Sequence, residues 1–332
     1  MCEPTHGSPS ITTNTQGSLP STMSHHQKFF SGDESLQIDF TIEVETLCPS
    51  CFSKSSMKFK RFVSIPVISV FVLMGFVFYI TVYVFTEDWL GLQSSAGSLN
   101  ALIFSFLALL CLYSLFVCVV TDPGHVPSNY VPDFEDTDVS DQEPKKTGVH
   151  LRNCDKCHTY KPPRAHHCRV CRRCVLRMDH HCLWINNCVG YWNYKSFVIL
   201  ILYATIGSLY STVMMLSCVL QKDRDFSGQV PLKIFYIICG VMMVALSLTL
   251  GTLLGWHIYL ITRNMTTIEY YEGIRAAWVA RKSGQSYRHP FNLGVYKNIT
   301  LILGPDMMKW LCPTAVSHLK DGISFATSRD SL

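Results

Sequence analysis

The sequence predicts an all-α integral membrane protein: four transmembrane helices, with a loop-rich, cysteine-rich cytosolic domain binding two structural zinc ions between the second and third. Three observations predict it. Mean hydropathy is +0.20 with only 16% charged residues, too apolar for an ordinary soluble domain. Four stretches without Asp, Glu, Lys or Arg are each long enough, at about 20 residues, to cross a bilayer as helices. Seven of the 15 cysteines fall between Cys154 and Cys188, interleaved with histidines, which reads as a metal module in a reducing compartment rather than a disulfide framework.

Residues 1–57 are rich in Ser, Thr and Pro, lack long apolar runs, and read as a disordered cytosolic segment. Cys48 and Cys51 within it have no histidine partners, so metal binding is not expected there. Residues 58–120 carry the first two spans, about Phe62–Phe85 and Leu99–Val120; residues 121–196 the linker and cysteine-rich domain; residues 197–262 the third and fourth spans, about Phe197–Leu220 and Ile234–Ile261; residues 263–332 a cytosolic C-terminal segment. Buried core helices are a poor alternative, because no amphipathic partners exist to cover them. Without charges in the spans, an ion transporter is a poor reading too.

Lys and Arg set the orientation. Lys58, Lys60 and Arg61 precede the first span, while the loop with Glu87 and Asp88 has no basic residue. Lys145, Lys146, Arg152, Lys156, Lys161, Arg164, Arg169, Arg172, Arg173, Arg177 and Lys195 crowd the second loop, and Arg263, Arg275, Arg281, Lys282 and Arg288 follow the fourth span. Both termini and the cysteine-rich loop are therefore placed in the cytosol, against a weaker contrary signal from Lys222, Arg224 and Lys233. The compartment stays open among Golgi, endoplasmic reticulum and plasma membrane. A net charge of +4 gives little reason to expect nucleic acid.

Within the loop, Cys154, Cys157, His167 and Cys174 recur fourteen residues later as Cys168, Cys171, His181 and Cys188. Each quartet suffices for a closed tetrahedral zinc, although neighbouring ligands admit other groupings. The count leaves Cys182 over, with His180 and its counterpart His166. Asp179 stands where the first copy has Ala165. Carboxylate, imidazole and thiol then lie side by side. A thiolate is the nucleophilic form of cysteine, an imidazole can take its proton, and a carboxylate can hold the imidazole. The plainer alternative is an inert Cys182 in a zinc module that only binds partners. Tyr191, Trp192 and Tyr194 place the strip near the membrane interface, where a substrate with a lipid tail can reach it. Arg169, Arg172, Arg173 and Arg177 could face the phosphates of such a substrate, or could serve only orientation.

The stretch from Cys154 to Phe197 resembles the cysteine-rich domain of the DHHC protein S-acyltransferases (palmitoyltransferases), with Asp179-His180-His181-Cys182 as the naming motif, then Cys188, Asn193 and Phe197. Asp122-Pro123-Gly124 resembles that family's DPG motif, Thr266-Thr267-Ile268-Glu269 its TTxE motif, and His289 to Gly294 with Asn298 its C-terminal motif. The resemblance implies that Cys182 takes a long-chain acyl group, palmitoyl above all, from acyl-CoA as a thioester. It then passes the group to cytosolic cysteines of membrane-associated substrate proteins. His180 is implied as base and acid, Asp179 as its polarising partner, and the same two zinc quartets as structural. Thr266 and Thr267 are implied to contact the catalytic region, Asn298 to brace the C-terminal segment, and the four helices to form a tepee in the bilayer around the acyl tail. No ATP or redox cofactor is implied, and two half-reactions give ping-pong kinetics. One departure stands out: Leu183 follows the motif cysteine, where the family usually has Pro.

Three further stretches carry expectations. Residues 266–282 read as a helix lying either on the membrane or on the zinc module, and Met307, Met308, Trp310 and Leu311 as an interfacial patch. Gly207 and Ser208 serve either helix packing or room for a tail. His257 reads as a satisfied packing residue.

Overall fold

The computed structural model describes residues 63–132, 152–221 and 230–328. The readings of residues 1–57 (Cys48 and Cys51 included), of Lys58, Lys60 and Arg61, of Lys145 and Lys146, and of Lys222 and Arg224 fall outside the described residues.

Among the described residues four helices are long and apolar enough to cross a membrane: α1 Ile65–Leu90, α2 Ser95–Val120, α3 Tyr194–Leu220 and α4 Val230–Arg263. Their sides are apolar all round, and many large side chains face outward, Ile65 with 83% and Leu102 with 68% of its surface exposed. In water such exposure would be unfavourable; hydrocarbon accepts it. Pro66 sits in the first turn of α1, where its missing N–H costs nothing. Ser94 caps α2 by accepting the Gly97 N–H.

α2, α3 and α4 begin before their expected starts, α4 also ends beyond its expected end, and α1 begins later than expected, at Ile65, but runs on to Leu90. Its path includes a π-helical stretch, Ile80–Thr86, and a last α-turn, Glu87–Leu90. In that stretch the Thr86 hydroxyl donates to the Thr81 carbonyl five residues back. The acidic pair Glu87 and Asp88, read as loop, therefore ends the helix, and Asp88 accepts from the Tyr236 hydroxyl of α4.

The helices enclose two apolar clusters. One, around Ile80, Phe85, Phe104, Met215 and Met243, lies toward the α1–α2 turn. The other, around Val67, Leu115, Phe197, Val198 and Ile261, includes Cys182 and Ile185 of the cysteine-rich domain. Between these levels Thr81 and Ser211 share a 2.6 Å hydrogen bond across α1 and α3, and Thr212 and Ser247 one of 3.0 Å across α3 and α4.

The cysteine-rich domain is less irregular than expected. It consists of three two-stranded antiparallel hairpins: β1 Asn153–Cys154 with β2 Thr159–Tyr160, β3 His166–Cys168 with β4 Arg173–Val175, and β5 His180–Cys182 with β6 Asn187–Val189. Hairpins this small are not stable alone; two metals, one between each neighbouring pair, can supply what the core lacks. The DPG turn buttresses them: Asp122 pairs with Arg173 at 2.8 Å, and Trp192 N–H donates to the Pro123 carbonyl. Gly190 is fitted under this turn, where a Cβ would meet the Pro123 oxygen at 2.9 Å and a Val175 methyl at 2.8 Å.

Beyond α4 come α5, Thr267–Lys282, and α6, Val295–Leu303. The first turn of α5 docks on the cysteine-rich domain, with Ile268 against the cluster of Cys168, Val175, Met178 and Cys188, while Ile274 and Trp278 stay exposed. Met307, Met308 and Leu311 are exposed as a patch, but Trp310 turns back to donate to the Gly304 carbonyl. Lys195 is not a free charge: it is buried and donates to the carbonyls of Leu303, Lys309 and Ala315. Around Gly207 a Cβ would meet nothing, so no neighbour packs there; Ser208 is buried and donates to Thr205.

Candidate active site and metal clusters

Cys154, Cys157, His167 and Cys174 bring four ligand atoms together, as do Cys168, Cys171, His181 and Cys188; within each set all lie within 4.8 Å of one another. Zinc bonds of about 2.3 Å to sulfur and 2.0 Å to nitrogen, at tetrahedral angles, put sulfur and nitrogen about 3.5 Å apart. Nδ1 of His167 lies 3.5, 3.3 and 3.9 Å from the sulfurs of Cys154, Cys157 and Cys174. Nδ1 of His181 lies 3.7, 3.5 and 3.6 Å from those of Cys168, Cys171 and Cys188. Both cages fit zinc, and the fold groups the ligands as the fourteen-residue repeat does. Each quartet takes its Cys-x2-Cys pair from one hairpin and its His and last Cys from the next, so a metal would staple neighbouring hairpins.

Cys182 belongs to neither cage. It ends β5 on the face that packs into the membrane helices, 7% exposed among Leu115, Cys118, Ile185 and Phe197. Asn187, its cross-strand partner, ties this hairpin to the end of α2 by donating to the carbonyls of Cys118 and Thr121.

His180 lies at the other end of β5. Its Nδ1 is 2.8 Å from Asp179 Oδ2, and its ring meets Phe197 edge-on at 5.2 Å. Burial opposes charge on this imidazole, but Asp179 and Cys182 outweigh it and raise its pKa to about 9. Asp179 is almost fully buried. Burial disfavours its charge as well, yet bonds from His180 and Thr267 hold its carboxyl below the usual range. Thr267 contributes two of them, a backbone N–H at 2.9 Å and a hydroxyl at 2.8 Å. Because Thr267 opens α5, the carboxylate faces a helix N-terminus, where negative charge is favoured.

Thr266 bonds to Glu269 where Thr267 bonds to Asp179. It caps α5 in a capping box with Glu269. Asn298 is fully buried: it donates to the Thr262 carbonyl and to Asn292 and accepts from Leu293 N–H, joining α6 to the end of α4. Of the four arginines singled out as phosphate contacts, Arg169 and Arg172 are exposed, Arg173 pairs with Asp122, and Arg177 is buried at 3% exposure over the Tyr194 ring. Arg177 therefore does not belong to a surface patch.

Two features were missed. Arg164 forms a bidentate pair with Glu269, at 2.7 and 2.8 Å, and also donates to Asn264. His257 of α4 is a satisfied residue, bonded to the Tyr194 hydroxyl at 3.1 Å, but its ring also stands 6.1 Å from that of His180. The signal available for His257 was its being the one residue among Asp, Glu, Lys, Arg and His in the expected span Ile234–Ile261.

A family model described as DHHC palmitoyltransferase matches residues 149–274. The chain is 63% identical over 258 residues to probable protein S-acyltransferase 15 of Arabidopsis thaliana, covering 78% of this chain and 100% of that protein. It is 49% identical over 271 residues to probable protein S-acyltransferase 16 of the same plant, 81% and 94% of the two chains. With palmitoyltransferase ZDHHC15 of Rattus norvegicus it shares 37% identity over 175 residues, 53% and 50% of the two. With this constellation, these spans and this extent of shared sequence, the chain belongs to the DHHC family of protein S-acyltransferases.

Proposed function

We propose that the protein transfers a long-chain acyl group, palmitoyl above all, from acyl-CoA to cysteine thiols of membrane-associated substrate proteins on the cytosolic side. The observation that carries this reading is the one thiol of the three hairpins outside both metal cages, Cys182, two residues from an imidazole already bonded to a carboxylate.

Asp179 accepts at Nδ1 of His180, which leaves Nε2 for the thiol. The Cys182 proton passes to His180, the sulfur attacks the thioester carbonyl, and the bond to the CoA sulfur breaks. The departing CoA sulfur takes the proton. In the second half-reaction a substrate cysteine gives its proton to His180 and attacks the acyl-enzyme, and Cys182 leaves and is reprotonated. One thioester replaces another twice, and nothing is oxidised or reduced. His180, raised to about 9, is a favourable home for the proton at neutral pH. The apolar cluster around Cys182 suits an alkyl chain, each buried methylene being worth about 0.8 kcal/mol. Zinc, held by the two quartets, would supply rigidity to the hairpins; closed four-ligand sites leave no position for substrate. Thr267 orients Asp179, and Asn298 braces the C-terminal segment against α4.

The test is incubation of the purified full chain with labelled palmitoyl-CoA. Hydroxylamine-labile label is expected on the wild type and absent from Cys182→Ser. Persistent labelling of that variant would remove Cys182 as the nucleophile.

A further inference from the structure

Under the start of α3 lies a cavity of about 410 Å³, bounded by α6, the segment after α4 and the C-terminal stretch around Lys320 and Phe325. Its walls include Arg164, Arg177, Lys195, His318 and Lys320, and no carboxylate among the described residues. Two of these cations are satisfied from behind: Arg164 by Glu269, Lys195 by three backbone carbonyls. Arg177 is not. A guanidinium carries five N–H donors. Among the described residues those of Arg177 make one long hydrogen bond, 3.3 Å to Asn264, although the side chain is buried. The carboxylates nearby are engaged elsewhere, Glu269 by Arg164, Asp179 by His180 and Thr267, and Asp321 by backbone N–H groups of Ile323 and Ser324. A buried cation whose neighbouring carboxylates, Glu269 and Asp179, are bonded to other groups is expensive, and here it borders an open volume.

The cavity also has apolar walls, Leu301, Leu319 and Phe325 among them. It lies where α3 begins and α4 has just ended, the depth of lipid headgroups if these helices span. None of Asp179, His180 and Cys182 lines it. Tyr194 divides the two sites, its ring on the cavity and its hydroxyl on His257.

We infer that this cavity binds a phosphate group, with Arg177 as the buried contact and Lys320 at its side, separately from the acyl-donor site. The phosphate belongs either to a phospholipid headgroup or to a soluble phosphate, and both offer the oxygens a guanidinium fork accepts. The inference does not rest on acyl transfer, because its readout is binding.

The experiment uses the full chain with two probes: bilayer discs of phosphatidylcholine with and without phosphatidic acid, and inorganic phosphate. Retention of phosphatidic acid on the purified protein is read by mass spectrometry, and protection by inorganic phosphate by thermal unfolding. Binding is expected for at least one probe, weakened about tenfold or more in Arg177→Gln and in Ala326→Trp, which plugs the cavity from an exposed position. It is expected to be unchanged in Arg169→Gln. Lipid retention alone assigns a headgroup; protection by inorganic phosphate with the same variant dependence assigns a soluble ligand. Should Arg177→Gln fail to fold, Ala326→Trp decides. The inference is overturned if neither probe binds, if Ala326→Trp binds like the wild type, or if coenzyme A displaces the probe, which would give the cavity to the acyl donor.

Discussion

The second and third hairpins are one structure used twice. His166, His167 and Cys168 pair with Val175, Cys174 and Arg173; His180, His181 and Cys182 pair with Val189, Cys188 and Asn187. Position for position the register is the same, shifted by fourteen, yet the first imidazole and the second are driven oppositely. Burial, helped by Arg152, pushes His166 down to about 4; Asp179 and Cys182 overcome burial and raise His180 to about 9. Ala165 beside His166 offers no charge. A carboxylate, with the free thiol of Cys182, therefore separates a neutral ring from one that holds a proton on a common backbone. The thiols differ for another reason. Cys168 opens the second quartet, and Cys182 stands where a third would open. Fourteen residues beyond Cys171, His181 and Cys188 come Ile185, Lys195 and Leu202, and α3 replaces the next hairpin. Cys182 is free because the repeat stops.

The largest difference should appear on exchanging each thiol for a hydroxyl. Cys182→Ser is expected to keep two zinc ions per chain and lose labelling altogether. Cys168→Ser, its equivalent, is expected to lose the second metal and with it the junction of the two hairpins, since a structural zinc can contribute about 10 kcal/mol or more to folding. Metal content by mass spectrometry of the native proteins separates the two; loss of zinc from both would mean that Cys182 is a ligand.

Asp179→Ala makes the third hairpin resemble the second. His180 loses its partner, and Thr267 loses its acceptor. Acyl-enzyme formation is expected to slow by about 10²-fold or more, the usual worth of a positioned base, with zinc content unchanged. A variant labelling at the wild-type rate would show that the carboxylate is not what distinguishes the hairpins.

Both hairpins also hold the N-terminus of α5, by different chemistry. Arg164, just before β3, grips Glu269 from within the helix, while Asp179, just before β5, accepts from Thr267 at its tip. Burial opposes charge on Glu269, but Arg164 outweighs it and lowers the pKa from the usual 4.5 to about 2. A depressed carboxylate stabilises the fold above its unfolded pKa, and that stability is lost as pH falls through the folded one. The anchoring of α5 should therefore hold at neutral pH and weaken between about 4.5 and 2. Arg164→Met takes the guanidinium from buried Glu269 and leaves it the Thr266 N–H and the His289 ring at 3.7 Å, at a cost of about 3–5 kcal/mol. Hydrogen exchange of the α5 amides is expected to rise already at neutral pH in that variant; unchanged protection would show that Thr267 alone holds the helix.

These contrasts mark what was legible. The two cages follow from spacing because their ligands are close in sequence and metal chemistry restricts their types. The spans follow from uninterrupted apolar runs. Arg164 and Glu269 are 105 residues apart, and only the docking of α5 joins them. Arg177 follows the exposed Arg169 and Arg172 yet is buried over the Tyr194 ring; Arg172 shares its left-handed backbone, φ 53° against 41°, so neither composition nor local backbone tells the two apart. The extra length of α1 was hidden by Glu87 and Asp88, whose charges read as loop although Asp88 is bonded to Tyr236.

The smallest effect is expected at the one place where the motif departs from its family. Leu183 follows Cys182 as the first residue of a short 3-10 turn, Leu183–Ile185. Cys182 has φ −95° and ψ 115°, within the extended range that a residue before proline prefers. The first helical position tolerates proline because its N–H has no intrahelical partner. The side chain of Leu183 is 57% exposed, so little packing is lost. Leu183→Pro should then fit the existing backbone and remove conformations only from the unfolded chain, a gain of up to about 1 kcal/mol. Melting temperature and rate of acyl-enzyme formation are expected to stay near or slightly above the wild type. A marked loss of either would mean that the turn after Cys182 has a different backbone in the working enzyme.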